Sequence, residues 1–129
     1  MTEILITGGA GMIGRKLADR LAADGSVAGE KIDRLVLQDI VQPATLAAPF
    51  EVGTVAGDFA QPGQADALVA SRPDVVFHLA AIPSGGAEAD FDKGYRINLD
   101  GTRLLLDAIR QVGGGYRPRL VFTSSIAVF

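Results

Sequence analysis

Seven residues near the start of the chain, Gly8-Gly9-Ala10-Gly11-Met12-Ile13-Gly14, include four glycines at spacings suited to holding a diphosphate. Gly9, Gly11 and Gly14 read G-x-G-x-x-G, and Gly8, Gly11 and Gly14 read G-x-x-G-x-x-G. One glycine can take a backbone angle that a Cβ forbids. Another lets an anion approach the main chain, and a third lets the following helix pack close to the strand before it. The start of that helix offers free N–H groups and a partial positive charge. Gly8, Gly11, Met12, Ile13 and Gly14 are therefore the candidate phosphate contacts. The competing reading is an ordinary glycine-rich turn, and context decides, because the motif needs a strand before it and a helix after it.

A carboxylate follows at a fitting distance. Asp39 lies 25 residues past Gly14, against ~20 in dinucleotide-binding units. The polar insert Ser26 to Asp33 takes up the difference. A carboxylate here accepts both hydroxyls of a ribose and repels a 2′-phosphate. NAD is the expected cofactor, since Ile40 and Val41 supply no arginine for the phosphate of NADP. Arg15 and Lys16 keep NADP open as the less favoured choice. Asp58 and Phe59 follow a third apolar run. They are either an adenine contact and its cover or a turn acid and a core aromatic.

The elements that position these residues alternate. Ile4-Leu5-Ile6, Leu35-Val36-Leu37, Val52 to Ala56, Val75-Val76-Phe77 and Leu120-Val121-Phe122 are short apolar runs that read as buried strands. Between them, Met12 to about Ala23 carries Ile13, Leu17, Leu21 and Ala22 as a helical stripe, ended by Asp24-Gly25. Pro62 to Ser71 reads as a short helix with proline in its first turn, stopped by Pro73. The longest helix is expected from Asp90 to about Val112, with Asp90 as N-cap and Gly113-Gly114-Gly115 after its end. Phe91, Tyr95, Leu99, Thr102, Leu106 and Ile109 mark its expected buried face. This alternation implies an α/β fold, a doubly wound parallel sheet of the Rossmann type ordered 3-2-1-4-5. Ligands bind such sheets where the winding reverses, after strands one and four.

The bulk numbers agree with a single domain. The 129 residues are 48% hydrophobic and 21% charged, with a formal charge of -3. That balance describes a globular chain with no basic footprint for nucleic acid. Without cysteine there is no disulfide or thiolate metal site, and no metal is expected. No apolar run approaches the ~20 residues of a membrane span, and no signal stretch opens the chain. The expected compartment is the cytoplasm. The chain closes on the uncapped apolar run Ile126-Ala127-Val128-Phe129. Residues 1–129 are therefore expected to be the NAD-binding domain of a longer enzyme, cut before its substrate domain.

Ile6-Thr7-Gly8-Gly9-Ala10-Gly11, Gly57-Asp58, His78-Leu79-Ala80-Ala81, Asn98-Leu99-Asp100-Gly101-Thr102 and Thr123-Ser124-Ser125, in this order, resemble the extended short-chain dehydrogenases, the NAD-dependent epimerase/dehydratase family. The resemblance covers essentially the whole chain. It implies NAD(P) binding and hydride transfer with sugar-like substrates. It implies that Leu79, Ala80 and Ala81 line the nicotinamide ribose, that Asn98 helps fix the active-site backbone, and that Ser125 is the catalytic hydroxyl. His78 is implied to be structural rather than a base. Asn98 falls on the expected buried stripe, where an amide must find partners.

The family's proton carrier is the tyrosine of a Tyr-x-x-x-Lys pair. Tyr95 and Tyr116 are followed four residues on by Leu99 and Leu120, so neither fits. The pair is expected beyond Phe129, and the chain alone is expected to bind NAD weakly and turn over nothing. The segment from Ile82 to Asp92, with Ile126 to Phe129, resembles a branch that oxidises a four-carbon sugar acid at its 2-hydroxyl. There Ser84 and Ser125 would hold substrate oxygens. A nucleotide-sugar epimerase or dehydratase is the alternative of the same fold, and a non-catalytic NAD-binding module the alternative of another class. A small-molecule sugar acid and a second copy in a homodimer, paired through the long helix, are the expected partners, with no nucleic acid and no membrane.

Overall fold

In a computed structural model, residues 1–80 and 89–124 are described. Five parallel strands form the sheet: β1 (Glu3–Thr7), β4 (Arg34–Asp39), β5 (Glu51–Ala56), β6 (Val75–His78) and β7 (Arg119–Phe122). Their spatial order is β5-β4-β1-β6-β7, which is the expected 3-2-1-4-5. The expected order follows from right-handed crossovers on both sides of β1.

Side chains alternate across these strands and sort into two cores. Ile4, Ile6, Leu35, Leu37 and Val75 face helix α1 (Met12–Asp24), where Ala18 and Leu21 pack on them. Leu5, Val36 and Val76 point the other way, onto Phe59, helix α2 (Gln64–Val69) and Leu105 and Ala108 of helix α4 (Thr102–Val112). Gly25 ends α1 in the left-handed region at φ 67°, a conformation that favours glycine.

Three expectations change in detail. The polar insert forms a hairpin of β2 (Ser26–Val27) and β3 (Glu30–Lys31), turned through positive φ at Ala28 and Gly29, a geometry that suits two-residue hairpin loops. Ile32, just after it, is fully buried in the α1 core. The long helix runs without a break from Phe91 to Val112 but contains a π-helical turn. Helix α3 (Phe91–Tyr95) passes into a π-helical turn (Arg96–Gly101) before α4 begins.

That turn corrects the expected buried face. Phe91 (70%), Tyr95 (52%), Leu99 (49%) and Leu106 (45%) are exposed, while Gly101, Leu105 and Ala108 are buried. The wider turn shifts the helical phase, so the stripe that meets the core is displaced by about one residue. Ile109 still packs at the margin of the core.

Candidate functional site

The glycine turn joins β1 to α1, the context its motif requires. Gly8 adopts φ 76°, and a Cβ on it would lie 2.9 Å from Ala80 N and Leu79 C. The turn and the segment after β6 thus touch, and Gly8, Leu79 and Ala80 come together where the winding reverses between β1 and β6. At Gly14 a Cβ would fall against Gly8 O and 3.0 Å from Gly8 C and Gly9 Cα. This is the close approach of helix to strand. Gly11 caps α1 in extended conformation with no side-chain cap. Gly11, Met12 and Ile13 are exposed there. An uncapped helix start beside an exposed glycine is a cradle that a Cβ would narrow, and it fits a diphosphate.

Asp39 is at the end of β4, next to this mouth. The Ala10 N–H donates to Asp39 Oδ2 (2.9 Å) and the Ile40 N–H to Oδ1 (2.7 Å). Gly9 N–H also donates to Gln38 O (2.8 Å). The loop is therefore laced to β4, and the Asp39 carboxylate keeps lone pairs for further donors. Arg15 is committed elsewhere: its guanidinium donates to Ala44 O (2.5 Å) and Thr45 O (3.1 Å). Lys16 is exposed.

Asp58 is a turn acid that accepts from Ala60 N–H (2.9 Å) and pairs with Arg96 Nε (3.3 Å). The Phe59 ring is packed in the core, 6% exposed, the second of the two alternatives for this ring. Its edge fills the space over Gly101, where a Cβ would lie 2.7 Å from Phe59 Cε2, and it meets the His78 ring in a T-shaped contact. Asn98 is exposed, not on a buried stripe, because the π turn shifts the phase. Ala81, Ser84 and Ser125 lie outside the described residues.

His78 is 1% exposed, and both ring nitrogens are engaged: Nδ1 with Thr7 Oγ1 (2.7 Å) and Nε2 with Thr102 Oγ1 (2.8 Å). Burial pushes its pKa down to about 4. A neutral imidazole with no free nitrogen cannot reach a substrate proton. Tyr116 is at the other end of β6, donating to Pro73 O (2.5 Å). Burial, then Asp74 and Glu3, push its pKa up to about 12.

Sequence reasoning missed Gln38 and Thr7. Register places Gln38, Thr7 and His78 side by side on β4, β1 and β6, on the α2–α4 face. All three are buried, a polar row beneath the crevice. Gln38 Nε2–H donates to Gly57 O (2.6 Å), while its Oε1 is buried with no partner among the described residues. The signal was available: in each of three strands a polar residue follows the apolar run at the same register. Among the described residues no group of three His, Asp or Glu could hold a metal, and no helix is long and apolar enough to cross a membrane.

A doubly wound sheet with an uncapped glycine mouth at its switch point defines a class of nucleotide-binding α/β proteins. Residues 4–129 match the NAD dependent epimerase/dehydratase family, and the chain belongs to that family. It is 44% identical over 131 residues to a D-erythronate dehydrogenase of Cupriavidus necator, covering 98% of this chain and 40% of that protein. A crystal structure of a nucleoside-diphosphate-sugar epimerase from Agrobacterium tumefaciens superposes with TM-score 0.95 at 58% identity, over 99% of this chain and 38% of that one. A uronate dehydrogenase from Agrobacterium tumefaciens, crystallised with NAD, gives TM-score 0.75 at 31% identity, over 97% of this chain and 41% of that one. The chain thus spans well under half the length of each of these relatives.

Proposed function

We propose that residues 1–129 form the cofactor-binding domain of an NAD-dependent oxidoreductase that oxidises a small sugar acid, D-erythronate, at its 2-hydroxyl. The observation that carries this is the exposed, uncapped mouth of α1 with Asp39 laced beside it. Gly8, Gly11, Met12, Ile13 and Gly14 would hold the diphosphate through main-chain amides and close approach. Asp39 would accept the ribose hydroxyls, and Arg15, already tied to Ala44 O and Thr45 O, is not free to meet a 2′-phosphate. The backbone of Asp58 and Phe59 would border the adenine, with Leu79, Ala80 and Ala81 beside the nicotinamide ribose and Asn98 on the adjoining turn. When bound, NAD supplies the acceptor for the hydride.

Ser125 would steady the reacting substrate oxygen, with Ser84 holding a second one. The proton carrier would be a Tyr-x-x-x-Lys pair outside residues 1–129, and this chain alone would then not turn over. The substrate choice is supported by the 44% identity to D-erythronate dehydrogenase. The nucleotide-sugar epimerase reading is favoured by the 58% identity to the epimerase structure. NAD reduction by the full-length enzyme, assayed with erythronate beside UDP-sugars, separates the two. No reduction with erythronate removes the sugar-acid reading. A homodimer paired through α3 and α4 fits the exposed Phe91, Tyr95, Leu99 and Leu106. We place the enzyme in the cytoplasm.

A further inference from the structure

Thr7, His78 and Thr102 come from three separate elements, and their hydrogen bonds have only one consistent direction. Thr7 Oγ1 lies 3.3 Å from Ala80 N and 3.1 Å from Leu79 N, whose N–H it shares with Thr7 O at 3.1 Å. Both amides can only donate, so the Thr7 oxygen accepts and its single proton is left for His78 Nδ1, 2.7 Å away. Nδ1 is then an acceptor. A neutral imidazole carries its proton on the other nitrogen, so Nε2–H donates to Thr102 Oγ1 at 2.8 Å. The Thr102 hydroxyl proton in turn goes to Asn98 O at 3.2 Å. In an α-helix that carbonyl would take the Thr102 N–H. Here the Thr102 N–H goes to Leu99 O instead. The hydroxyl thus adds a bond to a carbonyl inside the π turn.

We propose that Thr7, His78 and Thr102 form an oriented relay that positions two backbone segments for cofactor binding, the 79–80 segment beside Gly8 and the π turn at 96–101. His78 is its centre, held as the neutral Nε2–H tautomer, and it is a positioning residue that touches no reacting atom. The chain of bonds begins on two main-chain amides and ends on one main-chain carbonyl, so every buried group in it is satisfied. The opposite tautomer breaks it at both ends: Thr7 would face a third donor with no acceptor for its own proton. Burial between the Phe59 and Phe122 rings keeps the imidazole neutral. The inference rests on the reading of residues 79 and 80 as cofactor-lining, but the tautomer itself does not.

The test has two arms, both on the full-length enzyme. In the first, ¹⁵N-histidine spectra of the wild type, with His78 assigned by its loss in His78→Gln, should show a bare Nδ1 and a protonated Nε2 at pH 7. A protonated Nδ1, or a mixture of tautomers, overturns the relay whatever the cofactor is. In the second, Thr102→Val should raise KM for NAD about tenfold with kcat within about threefold, and Thr102→Ser should restore the wild-type KM. A purely structural loss would lower the amount of active enzyme, so kcat would fall with KM unchanged, and that result overturns the positioning role. Should Thr102→Val not fold, Thr7→Ser and Thr102→Ser are compared with wild type. Both keep the hydroxyl and should keep the tautomer and KM, and a changed tautomer in either overturns the relay. A correct tautomer in an enzyme that does not bind NAD would count against the cofactor reading and leave the bond directions standing.

Discussion

Gly14→Ala separates packing from propensity at the mouth of α1. In an open helix the change would stabilise by about 1 kcal/mol, because alanine is the better helix former. At this position the new methyl would fall against Gly8 O and 3.0 Å from Gly8 C and Gly9 Cα. These are backbone atoms, and no side-chain rotation relieves them. Overpacking of this kind costs about 1–3 kcal/mol, so the clash wins and the net loss is up to about 2 kcal/mol. Relief requires α1 to move off the loop, which would turn the amides of the helix start away from the proposed diphosphate site. NAD affinity should fall at least about tenfold, equivalent to ~1.4 kcal/mol. Gly11→Ala is the contrast, since a Cβ there meets only Gly8 O, at 3.4 Å. The fold should keep its Tm while a methyl in the exposed mouth lowers affinity. Calorimetric titration with NAD and thermal melts of the full-length enzyme read both quantities. Wild-type affinity and Tm in Gly14→Ala would refute the reasoning.

Asp39→Ala should weaken NAD about tenfold or more, since a carboxylate that accepts from two backbone amides is lost. It should also narrow the gap to NADP, and unchanged Kd values for both cofactors would reject the role. Burial holds folded His78 near pKa 4, against 6.5 unfolded. Above pH 6.5 both states are neutral, and as pH falls from 6.5 towards 4 the unfolded state takes up a proton that the folded state refuses. Stability should therefore drop by about 2 kcal/mol between pH 7 and pH 5. Urea unfolding should show that drop in wild type beyond any drop in His78→Gln, and parallel pH profiles would count against it. Leu105→Ala should destabilise by about 2–5 kcal/mol, while Leu106→Ala, one residue on and exposed, should cost under about 1 kcal/mol in a monomer. Urea midpoints check the pair, and equal losses would mean that the helical phase is not the one described.

The glycine turn, the five strands and their order were legible because they depend on local constraints. A positive φ at Gly8, the uncapped start of α1 and the runs Ile4-Leu5-Ile6 and Leu35-Val36-Leu37 announce themselves residue by residue. Right-handed crossovers then leave few ways to order the sheet. The burial of Phe59, the exposure of Asn98 and the face of the long helix were not legible. Spacing shows that a stripe exists, but a single π turn at 96–101 moves the phase, and nothing in the local composition announces that turn. Ile32 looked like part of a polar insert, and its burial depends on the approach of α1 and β4 from elsewhere in the chain.

The amino-acid order alone settles the switch point and the glycines that open it, since backbone sterics and hydrophobic period act within a few residues. Tertiary packing settles which polar groups meet. Thr7, Gln38 and His78 are 31 to 71 residues apart in the chain yet neighbours across three strands. Their alignment exists only once strand register is set. The direction of each hydrogen bond then follows from what a buried donor or acceptor, cut off from water, finds beside it.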